Sequence, residues 1–265
     1  VDNLCARHLP RHDGAGPCGQ RAHQQAAALR IEQVERRLRV EAGLVPHFDT
    51  ALRPRGIVAV GSEARLIRAV MEPSSAAPFV AWPLGGLPAW VGALDLVLVL
   101  ASEGRDESLA QTVDLAVQRG ATLMVAAPAG SPVAQRATGS STLLVPTRTG
   151  DPVASAVVLL DVLHDLGIGP EVHTEGAAEA ADMVAEQSSP HVDLSSNAAK
   201  DLALCLADAV PLVWGGSVLA ARAARRIAEA LRRLGGCPAL AADARDLVPL
   251  MTAVVCSPSN QLTML

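Results

Sequence analysis

Residues 94 to 128 read LDLVLVLASEGRDESLAQTVDLAVQRGATLMVAAP, and the reading of this stretch decides the fold. Leu96 to Leu100 is an unbroken aliphatic run without alternation, as expected of a strand buried on both faces. Ser102 to Arg105 interrupts the run with a small residue, charges and a glycine. Leu109, Val113, Leu115, Ala116 and Val117 then fall close to a helical repeat, and Gly120 stands where a C-terminal cap belongs. Thr122 to Ala127 reads as a second buried strand. Strand, polar turn, helix, glycine and strand within about thirty residues make a βαβ unit with a right-handed crossover and parallel strands. Ligands of such sheets bind outside the carboxyl ends of the strands, which points to the turn Ser102 to Ser108.

Working outward, the same rhythm continues on both sides. GIVAV at 56 to 60 is a strand that runs into Gly61 and Ser62 and then a helix from Glu63 to Met71. Pro78 to Ala81 is a short strand, followed by a rigid loop over Pro83 to Pro88. Trp82 and Trp90 flank that loop and are read as core plugs beneath it, in a chain poor in other aromatic residues. Beyond the βαβ unit, Ser131 to Ala137 makes a short helix and Ser141 to Val145 a strand. Asp151 followed by Pro152 signals a helix start, and Val153 to Leu166 is apolar almost all round, so it must be buried on several sides or at an interface. His164 lies at its polar end and reads as a favourable C-terminal cation. A segment rich in Gly, Ala and Glu runs from Gly167 to Pro190, with a helix over Ala177 to Glu186. The pattern then repeats: Val210 to Ser217 reads VPLVWGGS, Ala220 to Leu234 is an amphipathic helix closed by Gly235 and Gly236, and Pro238 to Ala241 is a short strand. The fold class is α/β, a doubly wound parallel sheet in two blocks. Its expected divisions are a polar tail and helix at 1–50, a first block at 51–170, a linker at 171–194 and a second block at 195–265.

Composition narrows the function. The chain has 265 residues, half of them hydrophobic, with no tyrosine and two phenylalanines, so its core is built from Ala, Val and Leu. A net charge of -5 and the lack of a basic face or a stacking platform argue against a nucleic-acid partner. The longest apolar runs, Leu96 to Ala101 and Val153 to Leu160, are too short to span a bilayer, so no membrane partner is expected. The first thirty residues lack the apolar core of a signal peptide. Five cysteines without a CxxC fit free thiols in a cytoplasmic protein better than a disulfide framework. Cys5, His8, His12, Cys18 and His23 are ligand types without a zinc-finger spacing, and a solvated tail is the simpler reading; no metal is expected. From Ala22 to Glu41 the periodicity predicts a helix with a charged outer face.

Two phrases carry a resemblance. Ala101 to Ser108 reads ASEGRDES, and Asn197 to Ala203 reads NAAKDLA before a strand and a glycine turn. With the aliphatic strand before the first and "RGA" opening the next strand, the order is similar to the sugar isomerase (SIS) domain. More narrowly it resembles the phosphoglucose/phosphomannose isomerase group, where the first turn runs close to SYSGNTEE and the second phrase close to NPAKxLA. The glycine and one acidic residue of the turn are kept, while most of its hydroxyl positions differ.

The resemblance covers roughly 55 to 250 as two SIS-like halves, and it implies a sugar phosphate as small-molecule partner, no cofactor and a cytoplasmic homodimer. The residues it places around the phosphosugar are Gly61, Ser62, Ser102, Glu103, Gly104, Arg105, Asp106 and Ser108 in the first half, with Lys200, Gly215, Gly216 and Ser217 in the second. Glu103 and Asp106 stand where hydroxyls are usual and would repel a phosphate unless paired, and Asp106 with Glu107 equally fits a helix cap with its dipole complement. The group supplies a glutamate, a histidine and a lysine for aldose–ketose chemistry. The corresponding stretch here, Pro238 to Leu250, offers Asp243 and Asp246, with no histidine after His191 and no lysine after Lys200. No catalytic residue is therefore assigned. From Val254 onward periodicity is lost, and the C-terminus is expected to be incomplete or diverged. Two functions follow: a phosphosugar isomerase of this type, or a non-catalytic module that binds a sugar phosphate or a partner.

Overall fold

A computed structural model of the chain describes residues 52–206, 209–243, 245, 247, 249 and 262–264. The expected helix at Ala22 to Glu41 and the N-terminal Cys and His residues lie outside them. Chain contacts separate two compact units, one ending at Asp182 and one beginning at Met183.

The first unit contains five parallel strands: β1 (Ile57–Gly61), β2 (Phe79–Trp82), β3 (Leu96–Leu100), β4 (Thr122–Pro128) and β5 (Thr142–Thr147), in the order β2-β1-β3-β4-β5. Every residue of β1 and β3 is buried, as their unbroken aliphatic runs require. Alternation sends successive side chains to opposite layers. Ile57, Ala59, Leu96 and Leu98 pack with α1 (Ala64–Met71) and α4 (Pro152–Asp165), while Val58, Val60, Val97 and Val99 pack with α2 (Glu107–Gln118) and α3 (Pro132–Arg136). The β3 and β4 strands are parallel neighbours in register from Leu96 and Thr122 onward.

The connection from β2 to β3 carries no helix. Residues 83 to 92 instead run alongside α2. Gly85 lies against Ser108, Gly86 N–H donates to Thr112 Oγ1 at 2.7 Å, and Arg119 Nη1 donates to the Pro88 carbonyl at 2.7 Å. This arrangement corrects the reading of the two tryptophans as core plugs. Trp82 ends β2 at the carboxyl edge of the sheet and is 39% exposed; Trp90 lies at the amino edge beside Gly56 and is 47% exposed. The loop they flank spans the whole height of the sheet, so neither lies beneath it.

The α4 helix starts as its sequence dictates, with Asp151 Oδ1 accepting from the N–H groups of Val153 and Ala154 and Pro152 in its first turn. Its apolar surface is covered within the chain. One side enters the sheet core, and Ala154 and Val157 meet Ala177, Ala178 and Ala181 of α5 (Thr174–Gln187). The all-round apolar sequence thus reflects two packed layers and requires no second copy.

The second unit holds α6 (Ala198–Leu206), β6 (Val210–Gly215), α7 (Val218–Gly235), β7 (Leu240–Asp243) and β8 (Leu262–Met264). The strands form a parallel sheet in the order β7-β6-β8. The expectation of no periodic structure after Val254 is corrected here, because Leu262–Met264 pairs with Val210 to Leu212. A three-residue strand is too short to show a period. Cys205 and Cys237 are disulfide-bonded, against the expected free thiols; sequence spacing carries no information on which cysteines meet in space.

Candidate functional site at the carboxyl edge of the first sheet

The chain leaves β1 toward β2 on one side and later returns to β3 on the other, so β1 and β3 form the switch point of the sheet, and the crevice between their carboxyl ends is the expected ligand position. Gly61 pairs with Leu100 at this point. Its φ is +114°, and a Cβ there would stand 2.4 Å from the Leu100 carbonyl oxygen. Only glycine permits the two strand ends to come this close. Ser62 follows and is exposed, and Glu63 after it is 4% exposed at the start of α1. A buried carboxylate at the switch point is a functional candidate that sequence reasoning passed over as a mere helix start. Its signal was an acidic residue directly after a strand and a Gly-Ser pair.

The turn after β3 is built tightly. Gly104 N–H donates to the Ala101 carbonyl at 2.8 Å, and Gly104 has φ +66°. A Cβ on it would strike the Ser131 side chain at 2.4 Å, and the Gly104 carbonyl accepts from Val133 N–H at 3.3 Å. The turn is therefore braced by the neighbouring turn after β4. Asp106 then caps α2, with its Oδ1 accepting from Ser108 N–H at 2.9 Å and Leu109 N–H at 3.4 Å. Of the two readings open for Asp106, the structure shows the cap. The same contact places a carboxylate on two of the helix-terminal donors that an anion would use. Glu107 is drawn aside by Arg136, which holds it at 2.9 Å and Asp114 at 2.8 Å. These bonds, that to Glu107 foremost, raise the affinity of Arg136 for its proton. Ser102 is half-buried, whereas Glu103 and Arg105 are exposed at the rim.

Gly61, Ser62, Ser102, Glu103, Gly104, Arg105, Asp106 and Ser108 thus share one edge of the first unit. The other candidates belong to the second unit. Lys200 Nζ donates to the carbonyls of Pro190 and Val192, both at 2.7 Å, and Asn197 Oδ1 caps α6 by accepting from Lys200 N–H while its Nδ2 donates to Ser189. The NAAK phrase therefore ties residues 189–192 onto α6. Gly215 ends β6 against the first turn of α7, where a Cβ would meet the Ala220 main chain at 2.2 Å; Gly216 is exposed, and Ser217 Oγ caps α7 by accepting from Ala220 N–H at 3.1 Å. Asp243, in register with Gly215 at the end of β7, is held by Arg225 at 2.7 Å. Among the described residues no three His, Cys, Asp or Glu side chains converge as a metal site would need, and no helix is long and apolar enough to cross a membrane.

No family model matches the sequence, and no curated protein does. Solved structures do match. The C-terminal domain of glucosamine-fructose-6-phosphate aminotransferase from Francisella tularensis superposes with a TM-score of 0.61 at 10% identity, over 87% of this chain and 73% of that one. Tagatose-6-phosphate ketose/aldose isomerase from Escherichia coli gives 0.56 at 15% identity, over 97% and 75%. A hypothetical protein from Thermus thermophilus gives 0.58 at 13%, over 95% and 66%. The fold shared with these structures is α/β, with a five-stranded parallel sheet in the first unit of this chain.

Proposed function

We propose that the chain binds a sugar phosphate at the switch point of its first sheet. The observation that carries this reading is the convergence of the Gly61–Ser62 turn and the Ala101–Ser108 turn across the β1/β3 crevice. Two of the solved structures sharing this fold carry a sugar phosphate in their names. Backbone N–H groups and the hydroxyls of Ser62 and Ser102 supply the donor chemistry that a phosphate needs, and the Asp106 cap weakens it. Affinity is accordingly modest. Isothermal titration with glucose 6-phosphate, fructose 6-phosphate and mannose 6-phosphate, against inorganic phosphate, tests the reading. Saturable heat with at least one sugar phosphate is expected, and binding of none of them would overturn it.

Aldose–ketose interconversion of the phosphoglucose/phosphomannose type is the second reading. One observation bears on it: in the stretch Pro238 to Leu250, which corresponds to the region where the resembled group has its glutamate but holds no Glu here, the Asp243 carboxylate stands at the end of β7 and Arg225 fixes it. A coupled assay for fructose 6-phosphate conversion separates the readings. The binding-module reading predicts no turnover.

A further inference from the structure

The geometry points to Trp82 as the residue that meets the sugar ring, an inference that rests on the sugar-phosphate reading above. Trp82 closes β2 in register with Val60, one pleat short of Ser62 on the adjacent strand. Val80 packs into the α2-side core and Ala81 into the opposite one, so alternation places the Trp82 ring on the α2 side of the sheet. The chain then reaches Ser108 in three residues, because Gly85 lies against the Ser108 side chain. Three residues span at most about 10 Å, so the Trp82 backbone lies within about 10 Å of Gly85, which touches the start of α2. Two strand spacings, about 9.6 Å, likewise separate β2 from β3 and its turn. A hexose 6-phosphate matches this span, with its phosphate toward Ser102 to Ser108 and its ring over the end of β1 against the indole.

The exposure of Trp82 fits this role. It is 39% exposed, and the loop after it is held to α2 through Gly86, Thr112, Arg119 and Pro88. Binding therefore finds the indole already placed and incurs little ordering cost. An aromatic face recognises the apolar C–H face of a sugar and is indifferent to a bare phosphate. Trp82 is thus a specificity-determining residue for the ring, with no part in phosphate recognition. Trp90, at the opposite edge of the sheet, provides the internal control.

The test is a pair of titrations on the full chain. Trp82→Ala should weaken binding of the sugar phosphate by about tenfold while leaving that of inorganic phosphate unchanged, and Trp82→Phe should restore most of the loss. Trp90→Phe should change neither. In the double variant Trp90→Phe/Trp214→Phe, Trp82 is the sole indole of the three in the sequence, and its emission should shift with the sugar phosphate and stay constant with inorganic phosphate. Unchanged sugar-phosphate affinity in Trp82→Ala would overturn the inference and leave the binding reading standing. A Trp82 emission that ignores a saturating sugar phosphate would do the same, even if Trp82→Ala failed to fold. Absence of sugar-phosphate binding by the unaltered protein would overturn the reading and the inference together.

Discussion

The two edges of the first sheet are built from the same strands and treat charge in opposite ways. At the amino edge, Asp95 is wholly buried, and it accepts from Arg55 Nε at 3.0 Å, Arg55 Nη2 at 2.6 Å and Gly92 N–H at 2.8 Å, while Arg55 Nη2 also donates to the Trp90 carbonyl. Its partners are fixed before any ligand arrives. At the carboxyl edge Glu63 is buried as well, but Ser62, Glu103, Arg105 and Asp106 face water. The difference shows where this fold places stability and where it keeps polar groups for exchange: a buried carboxylate must be matched internally, whereas a rim residue can meet a ligand.

The largest effect is expected at the amino edge. Asp95→Ala leaves a guanidinium and an amide without their acceptor, and because Arg55 is itself partly in water we put the loss at about 2 kcal/mol, below the 3–5 expected for a fully buried pair. Urea denaturation measures it. A loss under about 0.5 kcal/mol would erase the distinction between the edges. Acid sharpens the same point. Burial alone would raise the pKa of Asp95, but the bonds from Arg55 and Gly92 outweigh it and hold the carboxyl below its ordinary value. A depressed carboxylate stabilises the fold above its unfolded pKa of about 3.9 and loses that contribution as pH falls through the folded value. The melting temperature should therefore drop below about pH 4 more steeply in the original protein than in Asp95→Asn. Parallel profiles would show that the pair does not act this way. The smallest effect is at the carboxyl edge. Asp106→Ala removes only a helix cap, worth about 1 kcal/mol. It also frees the Ser108 and Leu109 N–H groups, so inorganic phosphate should bind more tightly in the same variant, as calorimetry would read. Stability loss without a gain in phosphate affinity would make Asp106 a cap and nothing more.

Much of this was legible in the sequence wherever burial is symmetrical. The runs at Ile57, Leu96 and Thr122 declare themselves because both faces of those strands are covered, and Asp106 and Asp151 act as the caps their positions imply, whereas the cap formed by Ser217 went unread. Legibility fails where a role depends on contact between distant segments. Nothing local separates Trp82 from Trp90, yet the loop carries them to opposite edges. Glu63 reads as the start of a helix until the pairing of Gly61 with Leu100 shows that it follows the switch point of the sheet. Lys200 reads as a candidate ligand for phosphate, and nothing local announces the bonds of its ammonium to the carbonyls of Pro190 and Val192.

The contact of Gly61 with Leu100 restricts what descendants of this fold can do. Main-chain atoms alone make the floor of the crevice, since any side chain at position 61 would collide with the opposite carbonyl. Mutation cannot install an acid, a base or a nucleophile there without prying the strands apart. New chemistry can enter only from the walls, through Ser62 and Glu63 on one side and the turn from Ser102 on the other, so the substitutions that alter function in this scaffold are confined to a few positions while the floor stays constant.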